Sequence, residues 1–433
     1  MTTMVRTDTC MVSPRTSDRP GSGLKRAPSR AEFIALIAML FAIIAFSIDA
    51  MLPALPQIGA ELSPADPNRA QLIVIAFVLG MGGATLFAGP MSDALGRKPM
   101  IIGGTALYIL GAALAWAAPS LEWLLLGRVI QGVGAAGPRV VGMAIVRDLY
   151  SGRDMARILS FVMMVFMLVP AIAPLVGSGI IAAAGWRALF GAFVLFAGIA
   201  TLWLALRLPE TLPRDARRPM RLQIIAAATR EVLTHPVVRL SIMAQTMGYV
   251  LLFTSISLIQ PVFDQVFQRA DQFPLWFAGM ALISGSASIL NAALVMRLGM
   301  QRLAGFAFGM QILLSGGITA CWLAGLRGDA MFAIYLIWQC TVLFQSGLTV
   351  GNLNAIAMEP MAHIAGTAAS VIGAIATICG ALIAAPIALS FNATLLPMTL
   401  GVGGASVVAF VLLWRLLRID RRTRRMGQAE MFK

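Results

Sequence analysis

A carboxylate and a guanidinium stand deep inside two apolar stretches of this 433-residue chain. Asp49 lies in AFSIDAMLPALPQI, about ten residues before its apolar run ends, so roughly 15 Å deep if the run is helical. Arg128 lies in LLLGRVIQGVGAAGPR, about seven residues into another run, at a matching depth. Burial disfavours an ionised carboxyl and a nearby cation favours it. Such a pair can take up and release a proton when its surroundings change. The plainer alternative is a structural ion pair fixing two helices. Such pairs are weak stabilisers, and an ionisable group at membrane depth is a functional candidate by default.

Other chemistry is hard to assemble. The two histidines, His235 and His363, fall in predicted loops. Cys10, Cys321, Cys340 and Cys379 have no metal or redox spacing and read as buried small residues. There is no GxxxxGK[ST] loop, so ATP coupling within the chain is not expected. The expectation is a protein that is not an enzyme and uses no metal or cofactor.

The elements that must position Asp49 and Arg128 follow from composition. The chain is 59% hydrophobic and 12% charged, whereas a soluble domain is roughly 25% charged. Runs of about 20 apolar residues span a bilayer as helices. The runs here are continuous rather than alternating, which excludes a β-barrel. An all-α polytopic fold is predicted, with spans at 33–57, 70–92, 100–118, 121–146, 158–184, 186–206, 237–263, 275–298, 303–326, 330–358, 364–391 and 395–417. The two six-helix halves are 33–206 and 237–417. A polar tail (1–32) reads as disordered and cytoplasmic, and 418–433 as a basic cytoplasmic tail. The linker 207–236 carries Leu222, Ile225, Ala226 and Thr229 at helical spacing, predicting an amphipathic helix.

Charge sets the topology. Of 33 Lys and Arg, only Arg69, Arg187, Arg269 and Arg327 fall in the breaks opposite the two tails, and only Arg128 and Arg139 inside span 4. The rest collect on the side of the tails and linker, predicting that both termini are cytoplasmic. This side touches anionic headgroups; no basic folded domain exists to bind nucleic acid. DALGRKPM between spans 2 and 3 and MRLGMQRLAG between spans 8 and 9 form a faint repeat, placing Gly96 and Gly299 in equivalent positions.

Four stretches carry a resemblance: IDAMLPALPQI in span 1, GPMSDALGRKP after span 2, GRVIQGVGAAG in span 4 and PAIAPLVGSG in span 5. AIVRDLY and EPMAHIAGTAAS add to it. The chain resembles the major facilitator superfamily over about residues 33–417. Within it, it is similar to twelve-span drug:proton antiporters, nearest the bicyclomycin/chloramphenicol resistance group. The resemblance implies export of small amphipathic compounds across a bacterial inner membrane in exchange for protons, by a monomer working through alternating access. A proton-coupled metabolite exporter or importer on the same fold is the alternative.

The resemblance also implies site roles. Asp49 and Arg128 would couple the proton. The loop of Gly89, Asp93, Gly96, Arg97 and Lys98 would latch the two halves in the outward-facing state, Arg97 pairing with Asp148. Pro170, Pro174 and Gly177 would form the antiporter kink of span 5, although Ala173 and Ser178 stand where glycines are typical. Arg128, Gln131, Ala135 and Arg139 share one face of span 4, a face expected to line a central cavity. Arg139 has no second intramembrane carboxylate to neutralise it. It either snorkels toward the cytoplasm or makes the inner cavity cationic. Gln245, Tyr249, Gln260 and Asn352 are further cavity candidates in the second half, beside an adaptable Met-rich wall.

Overall fold

The computed structural model describes the backbone of residues 28–431 and side chains up to Ile419. The tail expected at 1–32 lies mostly outside the described residues. Eleven continuous helical stretches are long and apolar enough to cross a membrane. The longest of them, Gly328–Leu389, is two helices joined through a 3-10 turn at Glu359–Ile364. The chain is therefore an all-α polytopic membrane protein of twelve spans.

Spans 2 to 6 are Leu72–Leu95, Arg97–Trp116, Leu121–Leu149, Gly152–Ala184 and Ala188–Arg207. Spans 9 to 12 are Met300–Leu323, Gly328–Met358, Ala365–Leu389 and Leu396–Met431. Three spans are interrupted. Span 1 is helical over Arg30–Asp49, passes through a 3-10 turn at Leu52–Ala54 and resumes at Leu55–Leu62. Span 7 runs Pro236–Pro261 and widens into a π turn at Val262–Val266. Span 8 consists of Phe273–Gly285 and Ala287–Leu298. The sequence predicted unbroken helices at 33–57 and 275–298.

The break in span 1 has a local cause. Pro53 lacks an N–H, and its ring conflicts with the carbonyl four residues earlier, which is that of Asp49. The α-helix accordingly ends at Asp49. The candidate carboxylate thus sits at a helix end inside the bundle. Span 5 closes against this break. A methyl group on Gly177 would stand 2.3 Å from the Ala50 carbonyl oxygen, so only glycine permits the observed approach.

The halves repeat one another. Span 3 packs on span 6, and span 9 on span 12. Gly96 (φ +107°) ends span 2 and opens span 3, as Gly299 (φ +79°) ends span 8 and opens span 9. Both need the positive φ that glycine adopts without strain. Between halves, span 2 packs along span 11, and span 5 meets span 8 through Met167 and Gly285.

The linker helix is Leu222–Thr234. Its buried face is Ile225, Ala228 and Val232, with Thr229 half-buried. Leu222 and Ala226, assigned to that face from the sequence, are exposed. The helix is amphipathic, but its apolar stripe docks on the second half. Val232 joins a cluster with Met361, Val371 and Ile372, and Glu231 meets His363 at 2.8 Å.

Close approach of span 5 to the break yields a test. Gly177→Ala forces the Ala50 backbone to move, at a cost of about 1–3 kcal/mol. Gly179→Ala, two residues away with open space around it, is the control. Thermal unfolding of the detergent-solubilised protein is expected to show a lower midpoint for Gly177→Ala alone.

Candidate functional site

Glycines on spans 2 and 4 bring their backbones together. A methyl on Gly132 would lie 2.0 Å from the Phe77 carbonyl, and one on Gly80 2.1 Å from that of Val129. This contact carries Arg128 into a fully buried position between spans 1, 2 and 4. Its guanidinium donates to the Ser47 carbonyl (3.0 Å), the Gln131 Oε1 (2.6 Å) and the Ile73 carbonyl (3.4 Å). It also lies 4.5 Å from the centre of the Phe77 ring. Neutral oxygens and a π-face thus hold a buried charge that would be costly alone.

The expected Asp49–Arg128 ion pair is not formed in this structure. Asp49 is buried, but among the described residues it has no cation within ion-pair distance. Arg128 has spent its donors on Ser47, Ile73 and Gln131 instead. Ser47, two residues before Asp49, links the two groups through the carbonyl that Arg128 grips. Ser47 is itself held. Its hydroxyl donates to the Ile43 carbonyl at 2.6 Å, so the buried Tyr108 hydroxyl of span 3 donates to Ser47 Oγ. Neither Ser47 nor Tyr108 was selected from the sequence. The available signal was a tyrosine, one of four in the chain, midway along an apolar span.

The loop after span 2 forms a second site. Arg97 Nε donates to Asp148 at 2.9 Å, and Nη1 donates to Ser92 Oγ and to Asp93. The Glu210 carboxylate accepts from the backbone N–H groups of Arg97 and Lys98 at 2.9 and 3.1 Å. It caps the positive start of span 3, where an anion is favoured. Thr211 donates to Asp148, and Lys98 Nζ to the Ala205 carbonyl. The Arg97–Asp148 contact is present, but it does not bridge the halves. All partners belong to the first half or the linker, because Asp148 ends span 4, directly beside the start of span 3. Gly89, nearer the second half, faces Ser370 of span 11.

The faces differ in closure. Opposite the linker, Asn68 Nδ2 donates to the Phe391 carbonyl at 2.6 Å, joining the two halves. A 140 Å³ cavity there is lined by Gln71, Gln260 and Asp264 among others. On the linker side, span 5 over 152–165 and span 8 over 286–298 are exposed along most of their length. Span 5 packs on the outer piece of span 8, Phe273–Gly285, and far less on the inner piece, Ala287–Leu298.

The cavity candidates separate accordingly. Gln131 is buried beneath Arg128. Gln245 is buried with its Oε1 unpaired, and Tyr249 stacks on Phe253 at 5.4 Å. Asn352 is buried and ties span 10 to span 8 through Asn291 at 2.7 Å. Gln260 belongs to the far-side seam rather than to a central cavity. Arg139 is exposed. In span 5, Pro174 and Gly177 are buried and Pro170 is half-buried. No group of residues suited to a metal ion occurs among the described residues, and the three described cysteines are only partly buried.

Comparison with known proteins bears on the whole chain. Residues 35–384 match the family model described as Major Facilitator Superfamily. The chain is 28% identical over 402 residues to a bicyclomycin resistance protein homolog of Haemophilus influenzae, covering 90% of this chain and 98% of the relative. It is 32% identical over 339 residues to multidrug resistance protein MdtL of Shigella flexneri, covering 77% and 82%. A crystal structure of a D-xylose-proton symporter superposes with a TM-score of 0.73 at 14% identity, over 90% of this chain and 98% of that one. A twelve-span bundle of two repeated halves, with a buried arginine in span 4 and a glycine-closed loop after span 2, matches them along most of its length: the chain belongs to the Major Facilitator Superfamily.

Proposed function

We propose that the protein is a proton-coupled exporter of small amphipathic compounds, working by alternating access in the bacterial inner membrane with its linker face and both termini in the cytoplasm. The observation that carries this is Asp49, a buried carboxyl at the broken end of span 1, two residues after Ser47, whose carbonyl Arg128 grips. Substrate enters through the opening between spans 5 and 8. The far side, sealed by Asn68 and Phe391, opens when the halves rock. Asp49 takes a proton while it faces the far side and loses it to the cytoplasm when substrate occupies the site. Arg128 sets the position of span 1 through Ser47. The bicyclomycin and multidrug resistance names of the relatives agree with outward transport of foreign compounds.

In this scheme the loop network is a brace that binds the first half to the linker. The linker helix rides on the second half, so the brace transmits movement between halves indirectly.

Two outcomes test the scheme. In inside-out vesicles, Asp49→Asn is expected to abolish gradient-driven uptake of a transported compound while expression and insertion stay normal; pumping at the wild-type rate would remove Asp49 from the coupling. For the brace, Arg97→Ala is expected to change the labelling rate of a cysteine placed at Asn68, which reports far-side access. Glu210→Ala should reproduce most of that change. A Glu210→Ala variant labelled like wild type would confine the network to holding span 3.

A further inference from the structure

Arg139 is a cation without a partner. It makes no hydrogen bond, ion pair or ring contact with any described residue, and its side chain is exposed. It stands about ten residues before the end of span 4 at Leu149, hence roughly 15 Å in from the linker face. Cations at the rim follow from topology, but that rule does not account for one at this depth.

Its direction follows from the span's neighbours. Gly137 and Pro138 lie against Met100 and Gly104 of span 3, and Gly142 lies against Phe41 and Ile37 of span 1. At 3.6 residues per turn, Arg139 is about 20° round the helix from Arg128, and about 140° and 160° from Leu126 and Trp123. Those two are the exposed apolar residues on the outward side. Arg139 therefore points toward the bundle interior, where an unpaired arginine is tolerated only in contact with water or an anion.

Among the described residues no carboxylate lies within ion-pair distance of it. Asp93 and Asp148 are taken by Arg97, Asp154 by Arg30, Glu32 by Arg207 and Glu231 by His363. The far-side cations contrast with this: Arg69, Arg187 and Arg269 each meet an acid, in Glu122, Glu61 and Asp329. Arg147, two turns from Arg139 toward the linker face, is exposed as well. Two exposed cations thus stand on this stretch of span 4, an arrangement that concentrates anions.

We infer that Arg139 is a specificity-determining residue, and that the compounds carried are amphipathic anions whose acidic group pairs with its guanidinium. The inference rests on the transport function proposed above and names its substrate class. A guanidinium binds a carboxylate, sulfonate or phosphate through charge-assisted, often two-point, hydrogen bonds. An ammonium-bearing compound meets repulsion at the same point.

Three compounds on one skeleton test this: 3-phenylpropionate, 3-phenylpropionamide and 3-phenylpropylammonium. Their binding is measured without a gradient to full-length protein in phosphatidylcholine nanodiscs. The carboxylate is expected to bind at least about tenfold tighter than the ammonium, the scale of one hydrogen bond to a charged group. Arg139→Gln should erase that preference and leave the amide unchanged. A carboxylate that binds no tighter than the ammonium, or a variant that weakens all three equally, overturns the inference. So does loss of the preference on adding phosphatidylglycerol, which would make Arg139 a lipid headgroup site.

A second measurement needs no substrate. With the native cysteines replaced by serine, Met143→Cys places a thiol one turn from Arg139. An anionic sulfonate methanethiosulfonate should react faster relative to its trimethylammonium counterpart than it does in the Arg139→Gln background. Equal ratios in the two backgrounds overturn the inference. Gradient-driven movement in Asp49→Asn reads the coupling, and charge preference at equilibrium reads Arg139, so either can fail alone.

Discussion

A guanidinium cannot lie in a dry interior without acceptors, and the first half is arranged around meeting that demand for Arg128. Its charge is served by the carbonyls of Ser47 and Ile73, the amide of Gln131 and the face of Phe77. The Ile73 carbonyl and the Phe77 ring come within reach because spans 2 and 4 approach at glycine distance. The same grip fixes Ser47, which Tyr108 holds from span 3. Three neighbouring spans therefore converge on one side chain. The break that Pro53 imposes leaves Asp49 at the free end of the fixed segment.

Much of this was legible in the residues. The apolar runs located the spans, since a bilayer admits few alternatives to a helix of that length. Glycine and charge marked the turn between spans 2 and 3, and the resemblance supplied the Arg97–Asp148 contact. Other features were hidden for definite reasons. The acceptors of Arg128 are mostly main-chain carbonyls, which every residue possesses, so residue types suggested the nearest carboxylate instead. Glu210 is remote in sequence from the helix it caps. The linker helix was misphased because Leu222 and Ala226 fit the same spacing, and only the second half's surface selects Ile225, Ala228 and Val232. Gln260 looked like its neighbours in span 7, yet the widened turn beside it sets it in the far-side seam.

The contact between halves is uneven. Spans 2 and 11 stay together from Gly82 to Gly89, while spans 5 and 8 touch only in their middle and outer parts. The interruption at Gly285–Ser286 divides span 8 near that limit. The inner piece can thus stand away from span 5 without dragging the outer piece with it. Arg139 is exposed and Arg128 fully buried on the same side of span 4. One helix face carries both a structural charge and an available one, distinguished by what neighbouring glycines allow to come close.

The linker has a length as well as a path. The Arg218 N–H is fixed to the Asp93 carbonyl of the first half, and Ile225 is buried against the second. Roughly seven residues separate these anchors, and because those from Leu222 onward are helical the reach is about 18 Å. The segment is therefore a tether that caps how far the two halves can swing apart on that side. Lengthening it would remove the cap without touching the interior; shortening it would hold the mouth partly shut. The stroke of the molecule is in this sense measured by a short strand of chain rather than by the bundle itself.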